Sequence, residues 1–272
     1  MPEAAETAGA LFHAGQLDAA IGAANAEVRR NPGDLSSRVL LAELLLFAGN
    51  LDRADVILDA ASKVDPTSAV VVAEFRQLIR AETARRQCRR DGRVPEFLGE
   101  PSPALRAGLA ARVALRADDI AEAARNAAEA ETVRPRVPGM LKQEGSDAAF
   151  EDFRDVDDLC AGFFEVLTTT GKYFWIPTER VESILFHPPR RPRDLAWRRA
   201  SISVNAGPDG EVYVPAIYDA VETGLADDYR LGHATEWRGE EDELVCGVGQ
   251  RVFLVGDDAL GIMDLTELRF GA

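Results

Sequence analysis

The chain has 272 residues, 46% hydrophobic and 28% charged, the balance of a folded globular protein and a length suited to about two domains. Its 31 basic side chains are outnumbered by 46 acidic ones, a formal net charge of −15, which excludes nucleic acid and an anionic membrane as partners, because both select basic surface. The excess acid is uneven, with net −2 over residues 1–140 and net −13 over residues 141–272, so a helical domain at 1–140 and a second domain at 141–272 are expected.

The start, Met1-Pro2-Glu3-Ala4-Ala5-Glu6, is acidic and lacks the basic stretch and apolar run of a secretory signal. No segment approaches 18 consecutive apolar residues, so no membrane-spanning helix is expected. Cys88, Cys160 and Cys246 are far apart and show no metal-ligand spacing. A cytoplasmic protein with three inert thiols is the expectation.

An internal repeat follows. Ala14-Gly15-Gln16-Leu17-Asp18-Ala19-Ala20 recurs as Ala48-Gly49-Asn50-Leu51-Asp52-Arg53-Ala54, and Asn31-Pro32 recurs as Asp65-Pro66. The offset in both cases is the tetratricopeptide period of about 34. This register puts Ala8 and Ala42 at one close helix contact and Ala20 and Ala54 at the other, with proline ending the second helix of each pair. A weaker third copy aligns Ala111, Ile120, Ala123 and Pro135 with those positions, and Ile120 stands where Leu17 and Leu51 stand. Between the second and third copies, Val72, Phe75, Leu78, Ile79 and Ala81 recur at helical spacing, predicting one long helix to about Arg90. The irregular stretch Val94–Pro101 follows it. A stacked helical array leaves a groove that accepts a peptide or an amphipathic helix.

Beyond residue 141 the pattern changes. Asp155–Leu167 reads as an amphipathic helix with an acidic start. Strands are predicted over Lys172–Pro177, Arg180–Phe186, Ala200–Val204, Glu211–Tyr218, Val245–Gly249, Gln250–Val255, Leu260–Met263 and Leu265–Phe270, with a turn at Pro208-Asp209-Gly210. The fold class is therefore α+β: a tetratricopeptide-like helical array followed by a small, mainly antiparallel domain.

Chemistry-bearing motifs are sparse. His13, His187 and His233 have no histidine or cysteine three or four residues on, and no nucleophile elbow, phosphate-binding loop or dinucleotide fingerprint occurs. The carboxylate pairs, among them Asp157-Asp158, Asp227-Asp228 and Glu240-Glu241, sit in turn or cap contexts. No metal or cofactor is expected. Two arginine clusters, Arg85–Arg93 and Arg190–Arg199, are solvated faces or form an ion-paired contact between the halves, since residues 141–272 hold the excess acid.

Six blocks in register carry a resemblance over essentially the whole chain. They are Pro95–Pro101, Gly171-Lys172-Tyr173-Phe174-Trp175-Ile176-Pro177-Thr178-Glu179-Arg180-Val181, Arg193–Trp197, Val214–Tyr218, Thr235–Trp237 and Gly247–Arg251, alongside the paired Gly-x-Leu-Asp repeats. With these the sequence resembles the ImpE family, also called TagJ, of accessory proteins encoded with bacterial type VI secretion systems. The resemblance implies a cytoplasmic, non-catalytic adaptor. Its expected partner is the N-terminal helix of the small subunit of the contractile sheath, with indirect coupling to the sheath and its disassembly ATPase. Two docking surfaces are open: the concave face of the repeats, or an aromatic surface with Tyr173, Trp175, Arg180, Trp197, Tyr218, Trp237 and Arg251 as candidate partner-binding residues, since aromatic and arginine side chains dominate interface energetics. The competing expectation is that these aromatics are core. The alternative functional readings are a hydrolase using acid pairs with Glu179 and Arg180, and a small-molecule sensor with a closed apolar pocket between the halves.

Overall fold

A computed structural model describes residues 6–64, 69–143, 145–219, 224–239 and 244–271. Asp65-Pro66 and Glu240-Glu241 lie outside the described residues. The helices run α1 (Ala8–His13), α2 (Leu17–Arg30), α3 (Leu35–Phe47), α4 (Leu51–Val64), α5 (Ala69–Arg90), α6 (Pro103–Arg116) and α7 (Ile120–Val133).

The repeat register accounts for their packing. Gly15 and Gly49 both adopt φ +73°, the left-handed turn between the helices of a pair, a conformation that glycine takes without a Cβ penalty. In the third copy Asp118 takes that place at φ 61°. Ala20, Ala42, Ala54, Ala111 and Ala123 are fully buried where α1/α2, α3/α4 and α6/α7 meet. Ile120 departs from the register: it is exposed, whereas Leu17 and Leu51 are buried. Side chains cap the helix starts. Asp34 accepts from the amides of Ser36 and Ser37 before α3, Ser102 from Leu105 before α6, and Asp119 from Glu122 before α7, satisfying donors that a helix start leaves free.

The strands are β1 (Gly139–Gln143), β2 (Ser146–Phe150), β3 (Phe153–Asp155), β4 (Phe163–Leu167), β5 (Tyr173–Pro177), β6 (Val181–Phe186), β7 (Trp197–Val204), β8 (Gly210–Pro215), β9 (Thr235–Arg238), β10 (Cys246–Gly249), β11 (Val252–Val255), β12 (Asp258–Gly261) and β13 (Glu267–Phe270). Two short helices, α8 (Arg193–Ala196) and α9 (Asp227–Arg230), interrupt them. An antiparallel sheet of eight strands runs β2-β1-β13-β6-β7-β8-β4-β5, a sheet of three runs β12-β11-β3, and β9 pairs with β10. Glu96 adds a parallel bridge to Phe174 on the outer edge of β5, so the Val94–Pro101 stretch shields that edge.

The helix expected over Asp155–Leu167 is instead β3, an irregular turn and β4. The side chains of Asp155 and Asp157 decide this. Asp155 accepts from the amide of Asp157, and Asp157 accepts from the amides of Leu159 and Gly247. Such local carboxylate-to-amide bonds compete with the helical ladder. The strand expected over Leu260–Met263 begins earlier, at Asp258, and β1, β2 and β9 were not anticipated.

The large sheet is buried on both faces at β4, whereas β2 and β6 carry exposed residues. Along β4, Phe163 and Leu167 join the core made with the helices, whereas Phe164 and Val166 join a second core with Phe153, Phe253 and Phe270. Period-two alternation thus aims Glu165, between Phe163 and Leu167, at the helices.

Candidate functional site

Glu165 sits at the centre of a buried polar network between α5, α6 and the sheet. Arg85, on the face of α5 that also carries Phe75, Leu78 and Glu82, approaches it with both prongs: Nε to Oε1 and Nη2 to Oε2, each at 3.1 Å. Arg251, 0% exposed, donates to Oε2 from the other side, and the Tyr173 hydroxyl donates to Oε1. That hydroxyl accepts from Trp175 Nε1 at 2.6 Å. Trp175 is stacked on Phe163 with centroids 4.1 Å apart, and the Arg112 guanidinium lies 4.9 Å from the indole centre on α6's side.

The network continues outward. Arg251 Nη1 lies 3.3 Å from Asp155 Oδ2, and Asp155 Oδ1 accepts from the Tyr218 hydroxyl at 2.7 Å. Gly247 is required beside it, because a Cβ there would stand 2.3 Å from the Tyr218 ring. Trp197 Nε1 donates to Glu82 Oε2 at 3.3 Å, and Tyr213 donates to Glu74 at 2.9 Å. These contacts fasten α5 to β4, β7 and β8. Arg193 reinforces them, stacking 4.5 Å above Phe75 and pairing with Glu74 at 3.7 Å. Both arginine clusters therefore contribute contacts across the junction, as their charge complementarity predicts.

Burial alone would raise the Glu165 carboxyl, but the Arg85, Arg251 and Arg112 guanidiniums outweigh it and hold Glu165 well below the usual carboxylate range. Asp155 goes the other way: burial pushes it up to about 7, opposed by Arg251. A carboxylate so enclosed, with both oxygens already accepting, is a structural anchor rather than a general base.

Of the seven candidate partner-binding residues, Tyr173, Trp175, Trp197, Tyr218 and Arg251 are buried in or beside this network. The side chains of these five form no aromatic surface. The physical reason is their polar tips: Trp and Tyr bury large rings where an N–H or O–H finds a partner, and here the partners are Glu82, Glu165, Asp155 and the Tyr173 hydroxyl itself. Arg180, half-buried, is occupied by the backbone carbonyls of Leu98 and Asn205. Trp237 alone is exposed, at 39%, with its ring edge-on to Tyr218 at 6.0 Å. Glu179, paired with Arg180 in the hydrolase reading, is half-buried and raised by that burial. Sequence reasoning overlooked Glu165, Arg112 and Asp155, and read Asp157 only as half of a carboxylate pair in a turn or cap. The available signal was a lone carboxylate at the centre of the apolar run Phe163–Leu167.

A cleft of about 520 Å³ opens at the same junction. Leu46, Phe47 and Gly49 from the α3–α4 turn, Glu82, Arg85, Arg86 and Arg90 from α5, and Trp197, Tyr218, Asp219, Tyr229 and Arg230 line it. It is open to solvent and strongly polar, unlike the closed apolar pocket that a small-molecule sensor needs. Among the described residues, no group of three or more His, Cys, Asp or Glu side chains is placed to hold a metal ion, and no helix is long and apolar enough to cross a membrane.

Comparison with known proteins adds to this geometry. The model of the family described as ImpE protein matches residues 147–269, and a tetratricopeptide repeat model matches residues 8–74. The curated type VI secretion system accessory component TagJ of Pseudomonas aeruginosa is 31% identical over 262 residues, which cover 96% of this chain and 89% of that protein. A crystal structure of a Vibrio parahaemolyticus protein superposes with a TM-score of 0.89 at 26% identity, covering 97% of each chain.

Proposed function

Since the chain belongs to the ImpE family, the one that includes TagJ, we propose that it is a non-catalytic accessory adaptor of a type VI secretion system. It binds the N-terminal helix of the sheath small subunit and helps couple the contracted sheath to its disassembly ATPase. The observation that carries this reading is the match to TagJ over nearly the full length of both chains. The architecture supports it, because stacked helix pairs offer grooves suited to a helical segment. The Glu165 network supports it too: both oxygens of this buried carboxylate are taken up by Arg85, Arg251 and Tyr173 rather than aimed at a substrate.

The residues 1–140 and 141–272 act as one unit in this proposal, with the repeats presenting the groove and the acidic second half completing it. The cytoplasm is the compartment where sheath and ATPase are met. Titration of the purified chain with the N-terminal segment of the cognate sheath small subunit tests the reading. Saturable binding is expected, and none at tens of micromolar overturns it.

A further inference from the structure

The cleft at the helix–sheet junction is rich in arginine. In a chain of net −15, four guanidiniums line it, Arg85, Arg86, Arg90 and Arg230, against two carboxylates, Glu82 and Asp219. The four are not equally engaged. Arg85 is committed to Glu165 and to the Ile217 carbonyl. Arg230 is paired with Asp227 and Asp18. Arg86 gives Nε to Glu82 and Nη1 to the Gly49 carbonyl, which leaves Nη2 as its remaining donor. Arg90 has only a loose pairing, 3.6 Å from Asp219 Oδ1, and its side chain is nearly half exposed. Two neighbouring arginines thus keep donor capacity at the mouth of one cleft.

A second observation concerns Asp219. Asp219 is one of the lining residues, its side chain is nine-tenths buried, and its Oδ2 has no hydrogen-bond partner among the described residues. A buried acceptor without a donor is a standing penalty, relieved when a ligand brings an N–H. The remaining wall is apolar and aromatic, with Leu46, Phe47, Trp197 and Tyr229. These features together describe a ligand with a carboxylate, an amide or amine N–H close to it, and apolar neighbours, which is the chemistry of an acidic residue within a peptide.

We propose that this cleft is the docking site for an acidic residue of the partner's peptide segment, its carboxylate held by Arg86 and Arg90 and an adjacent N–H given to Asp219. The proposal rests on the adaptor reading above and names the place where that partner is held. Arginine forks recognise carboxylates through paired, charge-assisted bonds, and a half-open polar cleft suits one anchoring side chain better than an enclosed small molecule. The site takes in Trp197 and Tyr218 of the aromatic set that the sequence suggested, together with the α3–α4 turn and α5, where repeats and sheet meet.

The test is a titration of the full chain with the N-terminal segment of the sheath small subunit, for the native protein and for Arg90→Glu and Arg125→Glu. Arg125 lies on the exposed face of α7, paired only with Glu122, and serves as the charge control. Both substituted positions are solvent-accessible, and thermal melts confirm that each variant is folded. Arg90→Glu is expected to weaken binding by about tenfold or more, because it sets like charges against each other, while Arg125→Glu leaves it unchanged. Replacing the anchoring acid of the segment by lysine is expected to restore binding to Arg90→Glu. If the native chain binds and Arg90→Glu binds equally well, or no acid-to-lysine change in the segment rescues it, the cleft assignment is overturned and the adaptor reading stands. If the native chain itself does not bind the segment, the adaptor reading is overturned, and this assignment with it.

Discussion

Arg85 and Glu165 lie 80 residues apart in sequence, yet the two prongs of the guanidinium meet the two carboxylate oxygens at equal distances of 3.1 Å. One belongs to the helical array and the other to β4, next to the edge strand of the large sheet. Both are almost completely buried, so the pair joins the two parts of the chain where water does not screen it.

Removing one partner of such a pair leaves an uncompensated buried charge. Glu165→Gln is expected to destabilise the fold by about 3–5 kcal/mol, a fall in Tm of roughly 10 °C at this chain length. A double-mutant cycle with Arg85→Met should return a coupling energy of at least about 1 kcal/mol. Strictly additive losses in urea melts would show that the two groups do not support each other.

Gly247→Ala tests the packing of Tyr218. The added methyl would meet the ring at 2.3 Å, displacing the hydroxyl from Asp155. A loss of about 1–3 kcal/mol is expected. Gly210→Ala, where nothing lies within 4 Å, is the comparison, and an equal effect at both positions would contradict the packing argument.

The repeat contacts give a third test. Ala54 has no exposed surface, and Ala54→Leu is expected to cost about 1–3 kcal/mol by overpacking α3 against α4. Ala19→Leu, on the exposed side of α2, should stay within about 0.5 kcal/mol of the native protein. Calorimetry on both variants decides it.

Glu43 on α3 sets a pH dependence. Its carboxyl is buried with Oε1 unpartnered, and desolvation pushes it from 4.5 up to about 7 against the opposing charges of Arg193 and Arg191. Between pH 4.5 and 7 the folded chain holds a proton here that the unfolded chain has released. Stability at this site is therefore greatest at the acid end and falls as pH rises through the window. Glu43→Gln should flatten that slope and be more stable than the native protein at pH 8 by roughly 1–3 kcal/mol, the two converging near pH 4.5. Parallel stability–pH curves in urea would refute it.

The helical part was legible because its signal is local and repeated. A glycine turn two residues before Leu17 and before Leu51, with alanines at fixed places, can be read without any tertiary knowledge. The strand expected over Lys172–Pro177 announced itself by its aromatic residues and the one over Ala200–Val204 by its alternation, although β7 starts three residues earlier, at Trp197. Asp155–Leu167 misled because its apolar residues recur at helical spacing, while local bonds from the Asp155 and Asp157 carboxylates to backbone amides decide against the helix, supported by the long-range contacts of Asp157 with Gly247 and Glu165 with Arg85. The aromatic candidates failed as a surface for a related reason. Composition marks Trp175 and Trp197 as important, but only the positions of Glu82 and Tyr173 show that their N–H groups point inward. Trp237, with no hydrogen-bonded anchor of this kind, is the one that reaches solvent.

The 22 residues of α5 are joined to the sheet through Glu74 near its start and Glu82 and Arg85 towards its end. Fixings spaced along a rod prevent it from pivoting about any one of them. The repeats and the sheet therefore work as a bracket and not as a lever: a load taken up by the helices reaches the strands without slack. The spacing between whatever each part holds is set by the length of the helix.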